Sequence, residues 1–287
     1  MQKQTYILPT AAVAAAAMAL IFRVFQLLVV VDYREMGFFA ADAGFVPAYG
    51  LYLLLGVAAI VFIIGSKVDK KSGGPAFNKP AVSLTSKQTG ALGAAFLIGA
   101  GLRFYELVFR FNGFGLGFIG EALIFVLFTA IGFIILGSKK LKPVVGYLHM
   151  VICISYTLKA AALFMQDTII IRVSDELLLL LSYVASVLFF LALGRFIAAN
   201  ESKLTRHKLF IFAACTGVLS LCATIAGYIA LAIDSTYMGN HMNMHPLSEA
   251  GAAVIAFTVI FIIYSKKLVP VETQEDEENE ENENTED

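Results

Sequence analysis

Eight long apolar runs, separated by short polar stretches, leave this chain one practical way to fold: as helices crossing a lipid bilayer. They fall at about 7–31, 46–64, 89–109, 117–136, 144–164, 176–197, 209–233 and 247–264. A bilayer core needs about 17–25 apolar residues per helix, and none of the runs shows the strict alternation of a β-barrel strand. The chain is 59% hydrophobic and only 15% charged, whereas a soluble domain carries roughly a quarter charged residues. The expected fold is therefore an all-α integral membrane bundle of eight transmembrane helices over residues 1–267, followed by an acidic disordered tail, 268–287.

Basic residues assign the direction of each span. With the N-terminus in the cytoplasm, fifteen of the 21 basic residues fall in inner segments, among them Lys67, Lys70, Lys71, Lys139, Lys140, Arg195, Lys203 and Lys266. Three, Arg34, Arg110 and Arg172, fall in outer loops, and Arg23, Arg103 and Lys159 lie within spans. Basic residues near span ends are retained on the inner side, so both termini are expected in the cytoplasm of a cell with this protein in its plasma membrane. The small residues of AAVAAAAMA could pass for a signal-peptide cleavage region. The run continues well past them, and its Arg23 belongs to a repeat, so the first span is expected to stay.

The net charge of −1 hides a strong asymmetry: residues 272–287 hold ten of the 22 acidic residues. The body is correspondingly basic, but its cations serve topology, so no nucleic-acid partner is expected. The tail has too few apolar residues to fold alone. It reads as a solvated segment, with docking to a cytoplasmic protein partner as the alternative. Residues 66–87, with Gly-Gly-Pro and Lys-Pro breaks, read as a linker after the first hairpin. Cys153, Cys215 and Cys222 lie in apolar runs without CxxC spacing and read as packing residues.

An internal repeat marks the candidate site. Arg23-Val-Phe-Gln26-Leu in the first span matches Arg103-Phe-Tyr-Glu106-Leu in the third, and Lys159 gives a weaker echo in the fifth. At 1.5 Å per residue these cations lie roughly 20–24 Å from the inner edge of a ~30 Å core. The returning spans open with Glu121, Asp175-Glu176 and Glu249, while the second offers Tyr49 and Tyr52 instead. This pattern suggests helical hairpins repeated in one orientation. Transporters built from such repeats hold their sites at repeat interfaces.

Arg23, Arg103, Glu106 and Lys159 are expected to line a polar cleft opening outward, with Glu121, Glu176 and Glu249 at its mouth. Glu106 is expected to pair with Arg103 or Arg110, and all three cations to converge. Two plainer accounts compete. Long cationic side chains can snorkel to the headgroups, and acids near helix starts can cap free N–H groups.

Other motifs carry less. His241, Met242, Met244 and His245, with Met238 before them, are ligand types suited to copper, but an interfacial loop with incidental Met and His is the favoured reading. Gly115, Gly117 and Gly120 spell GxGxxG without the preceding strand that dinucleotide binding requires, so close helix packing, or a bend at the start of the fourth span, explains them better. His149 reads as a helix-packing hydrogen-bonder. No HExxH, GxSxG or P-loop is present, so no catalytic residue or cofactor is expected.

The stretch Leu188-Phe-Phe-Leu-Ala-Leu-Gly-Arg195, followed by Glu201-Ser-Lys-Leu-Thr-Arg206, resembles a segment of uncharacterised multi-pass bacterial membrane proteins. The resemblance covers one helix and one inner loop and implies no activity or site residue. The leading functional expectation is a transporter-like or ligand-sensing protein for a small anionic or zwitterionic solute, with membrane lipids around it. The alternatives are a non-transporting subunit of a membrane complex and, third, a membrane enzyme acting on lipid.

Overall fold

A computed structural model describes residues 7–32, 38–39, 44–71, 82–83, 85–109, 115–137, 143–166, 174–197, 203–234, 247–264 and 269–270. Among them eight helices are long and apolar enough to cross a membrane. Their α-helical parts are α1 (Ile7–Phe25), α2 (Phe45–Lys71), α3 (Ser86–Phe109), α4 (Leu116–Gly137), α5 (Pro143–Gln166), α6 (Ser174–Ile197), α7 (Lys203–Ile233) and α8 (Ala250–Tyr264), the last span beginning at Leu247. The protein is an all-α, multi-pass membrane bundle. In hydrocarbon every backbone N–H and C=O must find its partner inside the segment, which a helix provides.

Some boundaries differ from the sequence expectation. A five-residue π-helical segment, Gln26–Val30, continues α1, and a 3-10 turn, Leu247–Glu249, leads into α8. α2 and α7 run well past their apolar cores into Lys-containing ends. At the start of α3, Thr85 and Gln88 cap each other: the Thr85 N–H donates to Gln88 Oε1 at 2.8 Å, and the Gln88 N–H to Thr85 Oγ1 at 3.4 Å. Two-residue strands pair Val31–Asp32 with Phe38–Phe39, and Val82–Ser83 with Val269–Pro270. The second pair ties the expected linker to residues assigned above to the tail; the tail from 271 onward lies outside the described residues.

Helices α3 to α8 form a closed ring in which each packs on the next and α8 returns to α3. α1 packs on the outer side of α7, and α2 lies beside α1 and α7. The span Leu247–Tyr264 is the most buried, at 72%, and the span at α2 the least, at 17%. Small residues set the close crossings. Between α3 and α4, a Cβ on Gly93 would lie 3.2 Å from the carbonyl oxygen of Gly132, and one on Gly132 would lie 3.3 Å from that of Gly93. Packing contacts of this kind replace the hydrophobic drive that is missing between helices in lipid.

Candidate functional site: a buried group of four charges

The charges sit where helical spacing carries them into the ring. On α3 the buried face runs Thr89, Leu92, Phe96, Ala100, Arg103 and Glu106; on α4 it runs Glu121, Ile124, Phe128, Ile131 and Ile135. α5 contributes Val145, His149, Ile152, Tyr156 and Lys159 at alternating steps of four and three. Such steps keep residues on one side of a helix. Arg103 near the end of α3, Glu121 near the start of α4, Lys159 near the end of α5 and Glu249 just before α8 therefore meet at one end of the ring. It is the end where odd-numbered helices finish and even-numbered helices begin.

Arg103 Nη1 donates to both carboxylate oxygens of Glu121, each at 2.8 Å, and lies 3.4 Å from Glu249 Oε1. Its Nη2 donates to the Tyr156 hydroxyl at 2.5 Å. Lys159 Nζ donates to Glu121 Oε2, and to Glu249 Oε1 at 2.5 Å. Two cations thus face two carboxylates, a formal balance of zero, and all four residues are buried. The cations also lie over aromatic rings: Arg103 Cζ is 5.0 Å from the centre of Phe128, and Lys159 Nζ 4.8 Å from that of Tyr183. Aromatic faces carry negative potential and help hold a desolvated cation.

Tyr156 and Tyr183 were not singled out by the sequence, although Tyr156 stands three residues before Lys159 and hence on the same face. They begin an aromatic layer below the charges. Tyr156 stacks on Phe190 with centroids 5.6 Å apart, and Phe190 packs against Phe128 and Phe189. Beyond it lies His149, which is fully buried, with Nδ1 2.7 Å from the carbonyl oxygen of Val145 in its own helix. A carbonyl only accepts, so Nδ1 carries the proton. Phe96 and Phe190 flank this imidazole with centroids at 5.6 and 6.1 Å.

Comparison with protein-family models, curated proteins and solved structures found no match.

The expected convergence of three cations is corrected to two. Arg23 is buried, 1% exposed, but α1 stands outside the ring, its end packed on Ala226 and Ala230 of α7. There Arg23 Nη1 donates to Gln26 Oε1 at 3.0 Å, while Gln26 Nε2 donates at 2.9 Å to the carbonyls of both Pro47 and Ala48 at the start of α2. Equal depth along the membrane normal did not mean equal position around the bundle.

Glu106 has a partner besides the two expected ones. Its Oε1 accepts the backbone N–H of Leu247 at 2.5 Å, while Arg103 turns to Glu121 and Glu249. Arg110, its other expected partner, lies outside the described residues. The repeat thus has a shared mechanical role, since Gln26 fastens the start of α2 and Glu106 fastens the turn that begins α8.

The acids divide as well. Glu121 is not a first-turn capping residue, because α4 begins at Leu116. Glu176 is half-buried near the start of α6, whereas the contacts of Arg103 and Lys159 run to Glu121 and Glu249. None of the three repeat cations reaches outward to snorkel, as each is at most 6% exposed. The charged group is enclosed in this conformation rather than lining an open cleft. His241, Met242, Met244 and His245 lie outside the described residues.

Proposed function

We propose that the protein is a transporter-like, solute-binding membrane protein, and that Arg103, Glu121, Lys159 and Glu249 form the closed state of its polar site. One observation carries this reading: four charges from four separate segments converge inside the ring at one end of the bundle. Charges in a membrane protein are costly and usually mark a solute or ion path. An apolar core of the same volume is often as stable as a buried ion pair or more so, so stability alone gives little reason to keep four.

Under the orientation assigned by the basic residues, this end of the ring faces outside. A small anionic or zwitterionic solute would enter by exchanging partners with the group, its carboxylate taking the place of Glu121 or Glu249 at the cations. The full internal compensation of charge favours a second reading, in which the group locks the bundle of a non-transporting subunit. Docking of a cytoplasmic partner by the acidic tail would fit that reading.

A thermal-unfolding screen on the full chain in lipid nanodiscs separates the two. A ligand that binds only the folded state stabilises it in proportion to the logarithm of its concentration above Kd, about 2.7 kcal/mol at a hundredfold excess. The transporter-like reading expects a saturable rise in Tm with at least one small carboxylate-bearing solute, and uptake of that solute by proteoliposomes. No shift across acidic and zwitterionic panels would leave the locking role.

A further inference from the structure

We infer that the solute is a zwitterion of the α-amino-acid class, carrying one carboxylate and one ammonium a short distance apart, and not a simple anion. This rests on reading the four-charge group as a solute site, and it follows from the group's unmet hydrogen-bonding capacity and its charge balance.

Among the charged side chains of the group, counting polar atoms leaves one donor and one acceptor unmet. Arg103 spends Nη1 on Glu121 and Nη2 on Tyr156, and Lys159 spends two of its hydrogens on Glu121 and Glu249. Both oxygens of Glu121 and one oxygen of Glu249 are engaged. Arg103 Nε and Glu249 Oε2 are buried and make no hydrogen bond to another protein atom. One is a donor without an acceptor and the other an acceptor without a donor, each costly to leave unmet in a medium without water.

The two orphan atoms belong to groups that already approach each other: Arg103 Nη1 lies 3.4 Å from Glu249 Oε1. They therefore lie no farther apart than that gap plus the breadths of a guanidinium and a carboxylate. A small molecule presenting a carboxylate to Nε and an ammonium to Oε2 would meet both needs at once. Tyr156 and Tyr183, whose rings already face Lys159 at 5.8 and 4.8 Å, would offer the incoming ammonium the same attraction.

Charge balance within the four-residue group favours the same ligand class. With two cations and two carboxylates the site is already neutral. A simple anion or a simple amine would bring an uncompensated charge into a low-dielectric interior, which is strongly unfavourable. A zwitterion adds a positive and a negative group together and leaves the balance at zero.

The test uses the wild-type full chain in nanodiscs, so it does not depend on any variant folding. Thermal stabilisation is measured with the twenty standard amino acids singly, then with the 2-hydroxy acid and the amino-acid amide matching any side chain that binds, and with a panel of simple carboxylates and amines. The expected result is saturable stabilisation by at least one amino acid, with its hydroxy-acid and amide analogues at least tenfold weaker. Equal binding of the hydroxy acid, or stabilisation by simple carboxylates alone, would overturn the zwitterion assignment and leave the solute-binding reading standing. Stabilisation by no probe of any class would overturn both, with the two orphan atoms then served by bound water.

Discussion

A Cβ placed on Gly251 of α8 would lie 2.7 Å from the Cα of Gly99 of α3. This backbone contact sits two residues after Glu249 and four before Arg103, so it fixes how closely the two charge-bearing segments approach. Glu106, accepting the Leu247 N–H, fastens the same crossing from the other side of Arg103.

Gly251→Ala should therefore be destabilising, because the atom it would strike is backbone and cannot rotate away. Overpacking of this kind costs about 1–3 kcal/mol. Gly101→Ala, with open space around its Cβ, should be neutral or mildly stabilising, since alanine is the better helix former. Thermal unfolding of both variants in one detergent measures the contrast, and similar stabilities would mean the α3–α8 contact is looser than described.

Lys159 and Glu249 should behave as a coupled pair. Removing one partner of a buried ion pair costs about 3–5 kcal/mol because the other charge is left uncompensated. Lys159→Met and Glu249→Gln should each show such a loss, and the double variant should lose less than the two together. Losses that simply add in the double-mutant cycle would show that the two side chains do not interact.

Solute binding should depend on Arg103 and not on Arg23. Arg103→Leu removes the guanidinium facing Glu121, Glu249 and Tyr156 and should abolish solute-induced stabilisation. Arg23→Leu acts on α1, outside the ring, and should leave the solute's midpoint shift within twofold of wild type. Equal losses from both would reduce the role of these residues to general stability.

Topology can be checked in intact cells with an impermeant thiol reagent. Ala76→Cys, in the segment expected to be cytoplasmic, should stay unlabelled until the membrane is opened. Asn240→Cys, between α7 and α8, should react at once. Labelling in the reverse order would invert the orientation.

Deleting residues 272–287 should leave the Tm of the purified protein unchanged. That segment offers too little apolar surface to offset the entropy of ordering it. A marked drop in Tm would show that the tail packs on the bundle.

Length and polarity along the chain were enough to determine the helices, since a run of about 20 apolar residues in lipid has to close its own hydrogen bonds. The same reading placed Arg23, Arg103 and Lys159 at a common depth, because rise per residue is constant in a helix. It could not say which way each side chain faces. That depends on which helices become neighbours, and neighbours are chosen by close contacts such as Gly93 on Gly132 and Gly99 on Gly251. In the folded bundle α3, α4, α5 and α8 surround one interior, and α1 lies outside it on α7. Arg103 and Lys159 consequently meet Glu121 and Glu249, while Arg23, in the same pattern of residue types as Arg103, meets Gln26.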